Sequence, residues 1–350
     1  MIGYGEMMLR ELPNSRYHFS EMRAISFAAH LGGGMGRKAL LNVDRFLVSP
    51  LRFALRHANI VHVVDPGNAI YAPLMRASKT VVTVHDLIPY LCVAGELQGF
   101  SPSHLGRFLM GTILRILHKV DRIVTVSRRT SEDLQRIAGI APGKIRVIPN
   151  AVFQSLPSRN FDRIAELRAT YQLPPRSSII LHIGRNFYKN RSTVLSAFEL
   201  VASKKSDAYL VLVGAPEGRL ADTLGRSPYS GRVIIIDRIA EVDLARLYTM
   251  ASVLLFPSLY EGFGYPVIEA QICGTPVVCS DCGSLPEVAG DGAVLHAPHD
   301  AAGFANTILA ILEDQAFAAD LAQRGRDNAA RFSMNAWQEA HHTLYDELVD

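Results

Sequence analysis

No uninterrupted apolar run in the 350 residues reaches the ~18 that a membrane-spanning helix needs. A secretory leader is not expected either, because Glu6, Arg10 and Glu11 fall inside the N-terminal stretch that would have to be apolar. Cysteine is scarce: Cys92, Cys273, Cys279 and Cys282 are the only four. That excludes a disulfide-held fold and fits a reducing compartment. Cys279 and Cys282 have metal or redox spacing, but no second ligand pair completes a site, so they read as plain strand and loop thiols. The G-x-G-x-x-G fingerprint with a downstream acid is missing, which argues against a nicotinamide dehydrogenase. The glycine cluster at 32–36 runs into Arg37-Lys38 rather than Gly-Lys-Ser/Thr, so it reads as a loop and not a phosphate cradle. No nucleic-acid motif with interleaved aromatics is present.

What the chain does have is bulk and a charge gradient. A length of 350 residues and an apolar fraction of 49% suit two domains with real cores. The net charge is only +3, yet residues 1–150 hold 19 Lys/Arg against 10 Asp/Glu, and the remainder holds 17 against 23. The first half is basic and the second acidic. A basic half attracts nucleic acid or an anionic membrane surface. Without a nucleic-acid motif the membrane surface is the expected partner. The expected location is cytoplasmic, peripheral on the inner face of the cell membrane.

Residues 252–290 carry the densest signal. The apolar run 253–256, closed by Pro257, predicts a buried parallel strand. Gly262 and Gly264 leave the next loop free to bring its backbone close to a ligand. Pro266 suits the first turn of a helix and Gly274 its end. A second strand is expected at 276–279, and Ser284-Leu285-Pro286-Glu287 has the form of a capping box opening another helix. Glu261 sits on the loop and Glu269 inside the helix, so both border one pocket above the strand ends. Carboxylates there accept hydrogen bonds from hydroxyls, and the helix start offers N–H groups to an anion. Hydroxyl acceptors beside a phosphate cradle suit a sugar nucleotide.

The rest of the chain alternates strand and helix. Ile2-Gly3-Tyr4-Gly5 runs directly into a helix over 6–12. Glycine loops of this kind normally follow a strand, so the start is expected to be misassigned or truncated by roughly ten residues. Strands are expected at 60–64 and 80–84. The second ends in T-V-H-D-L-I-P at a sheet's carboxyl edge, where open α/β sheets bind ligands. His85 is a candidate site residue there, and Asp86 a loop orienter. An apolar stripe over 102–120 predicts a packing helix, with Arg107, Arg115 and Lys119 off the stripe as a basic face for anionic lipid. A strand at 122–126 leads to Ser127, a cap for a helix over 128–137, and a strand at 145–149 leads to Asn150-Ala151-Val152. Pro157, Pro174 and Pro175 bracket a short polar helix and mark a linker. The strand 178–183 ends in Gly184-Arg185-Asn186, with Lys189-Asn190 four residues on. Two cations at a strand end can grip a diphosphate and neutralise it as it leaves. Strands at 209–214 and 233–236 follow, the second leading to Asp237-Arg238-Ile239. Helices are expected over 241–250, 303–313, 315–331 and 333–350, the last with a stripe of Trp337, His341, Leu344 and Leu348.

The ordered series strand, E-G-F-G, P-x-x-E, G-T-P-V-V, S-L-P-E-V-x-G closely resembles the E-x7-E signature of family-four retaining glycosyltransferases of the GT-B fold. T-V-H-D-L-I-P, V-S with I-P-N-A-V, and G-R with K-N are similar to family elements in the same order. The resemblance is good from about 80 to 290, moderate in the terminal helices and poor over 18–49. It implies an α/β protein with two Rossmann-like doubly wound domains facing across a cleft. Residues 1–155 would form the acceptor side, 156–176 a linker and 177–332 the nucleotide-sugar domain. The helix 333–350 would cross back onto the first domain, docked by the only Trp.

The same resemblance implies roles. His85 would face the transferred sugar. Arg185 and Lys189, beside Gly184, would hold the donor diphosphate. Glu261 would bind sugar hydroxyls and Glu269 the ribose. The backbone N–H groups of Gly262, Phe263 and Gly264 would contact sugar and phosphate, and the loop of Gly3 and Gly5 the donor phosphates or the acceptor. Arg238 and Ile239 would lie against the nucleobase, where the family usually has a glycine-containing turn. The implied reaction moves a hexose from a nucleotide-diphosphate sugar to a glycan or lipid-linked glycan with retention, in cell-surface polysaccharide synthesis. The T-V-H-D-L-I-P run leans toward GDP-mannose. No D-x-D stands in the expected place and Asp281 lacks a partner, so no metal or other cofactor is expected. The rival readings are a sugar-nucleotide epimerase or phosphorylase on the same fold, and a non-catalytic sugar-nucleotide binder.

Overall fold

Apolar runs too continuous for half-exposed strands become the centres of two parallel sheets. The computed structural model describes residues 3–13, 16–21, 43, 48–152 and 163–350. Ile2, the glycine cluster at 32–36 and Pro157 lie outside them. The first sheet holds β1 (His57–Val63), β2 (Arg76–Val84), β3 (Arg122–Thr125) and β4 (Ile145–Val147), paired in that order and all parallel.

The second sheet holds β5 (Ser178–Ile183), β6 (Ala208–Val213), β7 (Val233–Ile236), β8 (Val253–Phe256), β9 (Val277–Ser280) and β10 (Ala293–His296). Its order is β10-β9-β8-β5-β6-β7. The order reverses between β5 and β8, and ligands of such sheets bind in the crevice outside the carboxyl ends at that reversal. Alternate residues of one strand feed opposite cores. Ile179 and Leu181 join Leu254, Phe256 and Cys279 on one face, while Ile180 joins Val253, Leu255 and Val278 on the other. Both faces are covered by helices, which is the doubly wound α/β arrangement. The strand β10, at the edge of the sheet, has no counterpart in the sequence reading: its apolar run is only Ala293-Val294-Leu295, and its four residues are all half-buried.

The final helix, Met334–Val349, lies on the first domain. Its Met334, Trp337, Leu344, Tyr345 and Leu348 pack with Val81 and Val124 of the first sheet, with Met7 and Met8 of the helix Tyr4–Glu11 and with Leu12 at its end. Trp337 therefore docks where the resemblance put it. Within the stretch read as a linker, the helix Ile164–Thr170 places Leu167 in the core of the second domain, and Leu173 joins it. Among the described residues no helix is long and apolar enough to cross a membrane.

One local expectation is overturned. Ser284 does not cap the helix Leu285–Ala289 with its side chain. Its hydroxyl instead donates to the carbonyl oxygens of Glu261 at 3.0 Å and Phe263 at 2.8 Å. Glu287 turns away from its own helix to the first domain. Pro286 has no N–H, and those of Leu285 and Val288 go to the carbonyls of Cys282 and Ser284, so few N–H groups are left for the serine side chain to cap. Two loop carbonyls compete for the serine.

Candidate active site

Strand β8 delivers its chain into the crevice through Pro257–Tyr260 and then Glu261. The Glu261 carboxylate is buried (7% exposed) and accepts a hydrogen bond from Lys189 Nζ at 2.7 Å. Lys189 is equally buried (8%), and its ammonium also stands 4.5 Å from the centre of the Phe256 ring. It closes the short 3-10 turn Phe187–Lys189 after β5. Gly184 lets it reach inward: φ there is +114°, and a β-carbon would sit 2.8 Å from Lys189 Cε. Asn190 locks the turn, donating to the carbonyls of Pro257 at 3.0 Å and Pro298 at 2.6 Å. The two strands flanking the reversal thus carry an opposite-charge pair that is drawn together across 72 residues.

The other wall comes from the first domain. His85 follows β2, and its Nε2 donates to the carbonyl of Val64 at 2.8 Å, which leaves Nδ1 as the acceptor in the neutral ring. Tyr4 stands edge-on to it with ring centres 4.9 Å apart. The Tyr4 hydroxyl in turn lies 2.9 Å from His341 Nε2 in the final helix. Asp86 accepts the N–H of Ile88 at 3.0 Å, the loop-orienting role expected of it, and burial raises its carboxyl pKa. Gly262 presses on this segment: a β-carbon there would lie 2.0 Å from the His85 carbonyl oxygen and 2.8 Å from Asp86 Cβ.

The remaining predicted residues distribute around this contact. Glu269, inside the helix Tyr265–Ile272, accepts the Tyr248 hydroxyl at 2.7 Å. Burial, then the Glu269 charge, raises that phenol well above its usual range. Phe263 buries its ring against Tyr265 and Phe332, leaving only its backbone for a ligand. Gly264 opens the same helix as its N-cap. Arg185 is exposed at the mouth, with no hydrogen bond or ion pair among the described residues. Gly3 caps the helix Tyr4–Glu11, and Gly5 lies against Val64. The expected glycine loop is therefore the first turn of a helix, with Gly5 inside it and Tyr4 beside His85. Arg238 is exposed and Ile239 half-buried on the loop after β7. That edge strand lies three strand spacings from β8, about 14 Å. The structure so brings together Gly184, Lys189, Glu261, Gly262 and His85. It leaves Arg238 and Ile239 at a distance that an extended ligand would have to span. No group of three or more His, Cys, Asp or Glu able to hold a metal ion occurs among the described residues.

Sequence reasoning missed Tyr4, Tyr248 and Tyr260. Each is a tyrosine whose hydroxyl reaches a charged or titratable partner far along the chain, and no local pattern marks such a partner.

Residues 163–328 match the glycosyl transferases group 1 family, and residues 29–153 match glycosyltransferase family 4. The chain belongs to glycosyltransferase family 4. The glycosyltransferase is 28% identical over 302 residues to O-antigen chain mannosyltransferase B of Escherichia coli, covering 85% of this chain and 77% of that one. It is 26% identical over 314 residues to a serotype-specific mannosyltransferase of the same organism, covering 87% of this chain but 37% of that one. Among solved structures it is similar to sucrose-phosphate synthase from Thermosynechococcus elongatus, at 25% identity and a TM-score of 0.70, with 83% and 73% of the two chains covered. An Anabaena protein solved with UDP and glucose superposes with a TM-score of 0.72 at 18% identity, covering 90% and 83%. These likenesses make the fold GT-B.

Proposed function

We propose that this glycosyltransferase moves a hexose, mannose first among candidates, from a nucleotide-diphosphate sugar to a glycan or lipid-linked glycan with retention of configuration. The carrying observation is the buried Lys189–Glu261 pair at the β5/β8 reversal, set against His85 by the close approach of Gly262. In this reading the sugar hydroxyls donate to Glu261, and Lys189 turns its charge toward the diphosphate together with Arg185 and the start of the helix Tyr265–Ile272. The acceptor oxygen forms its bond to the anomeric carbon as the bond to phosphate breaks. The donor phosphate takes the acceptor proton, and the nucleoside diphosphate leaves. The cations and helix start supply the charge stabilisation, so transfer proceeds without a metal. Glu269 holds the ribose, and the β7 loop with Arg238 and Ile239 meets the base.

The names of the E. coli relatives support a role in O-antigen-type polysaccharide synthesis. The basic first domain supports a cytoplasmic enzyme resting on an anionic membrane surface. A thermal-shift screen of UDP-, GDP-, ADP- and dTDP-sugars tests the donor reading, with GDP-mannose expected to stabilise most. Stabilisation by none of them would remove the nucleotide-sugar assignment, and conversion of donor without acceptor would favour an epimerase.

A further inference from the structure

The S-L-P-E series ends in a carboxylate that serves the other domain. Glu287 Oε2 accepts the backbone N–H of Arg128 at 3.1 Å, and Oε1 accepts that of Arg129 at 3.0 Å. These are the first two N–H groups of the helix Arg128–Ala138, and Ser127 Oγ takes the third, from Thr130, at 3.0 Å. The first turn of a helix has N–H groups without partners inside the helix and carries its positive dipole end. A carboxylate is therefore both acceptor and countercharge, and here it arrives from across the cleft.

The same helix grips the Glu261 loop at two more points. Asp133 accepts the Tyr260 hydroxyl at 2.8 Å, and Thr130 Oγ1 donates to the Gly262 carbonyl at 3.3 Å. Asp133 is itself held by Arg129 and Arg136, both at 2.9 Å. Apolar contact between the domains flanks these hydrogen bonds on two sides, where Val126 and Val152 meet Phe263 and Phe332 and where Ile88 and Leu91 meet Tyr260. Around Glu287 the seam is open. A cavity of about 510 Å³ there is lined in part by Leu91, Arg128, Tyr260 and Pro286. Beside that cavity Glu287 joins the two walls through its pair of hydrogen bonds.

We propose that Glu287 is a positioning residue for the transfer: by capping a first-domain helix from the second domain, it holds the Glu261 loop against His85 with the cleft closed. Its kinetic consequence rests on the transferase reading above, and its structural consequence does not. The proposed nucleotide contacts lie in the second domain. Glu287→Ala should therefore leave nucleoside-diphosphate affinity within about twofold while kcat falls about tenfold or more, the scale of a charged hydrogen bond to backbone. Glu287→Gln keeps one acceptor oxygen and should fall between.

The opposite wall supplies an independent variant. Arg128→Pro deletes the N–H taken by Oε2, and proline suits the first position of a helix. Ser127, at φ −156° and ψ 161°, tolerates a following proline. This variant should reproduce part of the kcat loss, and the double variant should lose less than the product of the two singles. Spin labels on the exposed positions Lys119 and Asp320 read the gap without turnover. The wild type should show one narrow distance distribution, and both single variants a shifted and broader one. Unchanged distances in both variants would overturn the proposal, as would a loss of nucleotide affinity equal to the loss of kcat.

Discussion

A β-carbon on Gly262 would stand 2.0 Å from the carbonyl oxygen of His85, so backbone of the second domain touches backbone of the first at the centre of the site. Neither partner is the end of a flexible side chain. Gly262→Ala must push the Glu261 loop and the His85 segment apart. Displacements of about 1 Å cost on the order of 100-fold in rate, so kcat should fall by about that much. Nucleotide binding by the second domain should change only a few-fold. Steady-state rates and calorimetric titration of the variant check this. An unimpaired kcat would mean that His85 does not face Glu261 in the working enzyme.

Lys189→Ala should lower turnover at least ~100-fold, the scale of losing one charge stabiliser. It should also destabilise the fold by about 3–5 kcal/mol, because the buried Glu261 carboxylate loses its partner. Lys189→Met combined with Glu261→Gln removes both charges and should recover most of the stability without recovering the activity. Urea unfolding and initial rates on the three proteins separate the two effects. Near-wild-type turnover of Lys189→Ala would take Lys189 out of the site.

Acid should loosen the final helix. Burial pushes the His341 imidazole down from 6.5 to about 4. The neutral ring donates from Nδ1 to the Trp337 carbonyl and accepts from Tyr4 at Nε2. Between these two values the unfolded chain binds a proton that the folded chain refuses. Stability therefore rises with pH across that window and is lost as pH falls toward 4. His62 and His182 shift in the same direction, also through burial. Each such group contributes up to about 1.4 kcal/mol per pH unit. Unfolding followed through Trp337, the only tryptophan, should show Tm dropping between pH 6.5 and 4, with a shallower drop in His341→Gln. A flat profile would contradict the buried neutral ring.

The helix His104–Leu117 presents Leu105 and Phe108, each 61% exposed, beside Arg107 and Arg115. These two arginines and the nearby Lys119 form no ion pair among the described residues, and no Asp or Glu occurs between Glu96 and Asp121. Cosedimentation should show binding to phosphatidylglycerol vesicles that weakens with salt. Leu105→Ser with Phe108→Ser should reduce it about tenfold or more, since each buried apolar side chain contributes about 1.5–3 kcal/mol. Equal binding to phosphatidylcholine, or none to either, would remove the membrane surface from the proposed function.

Much of this architecture is legible in the chain because buried parallel strands leave unbroken apolar runs. Val233–Ile236 and Val253–Phe256 begin and end where such runs do, and Ser178–Ile183 is built on the run from Ile179 to Leu181. The docking of Trp337 follows from a stripe at helical spacing. The Lys189–Glu261 pair was legible only as two separate motifs, because its 72-residue separation belongs to the fold and not to either loop. Ser284 and Glu287 show where local pattern misleads. The S-x-x-E spacing permits a capping box, but stronger acceptors for the serine and needier donors for the glutamate lie outside the segment.

That this chain transfers a sugar with retention is tested most directly by proton NMR of the purified protein incubated with GDP-mannose and a mannose-terminated glycan. The prediction is a new α-linked anomeric signal growing in step with GDP release, unaffected by a metal chelator and abolished in Lys189→Ala. A β-linked product, or donor consumed at the same rate without acceptor, would contradict it.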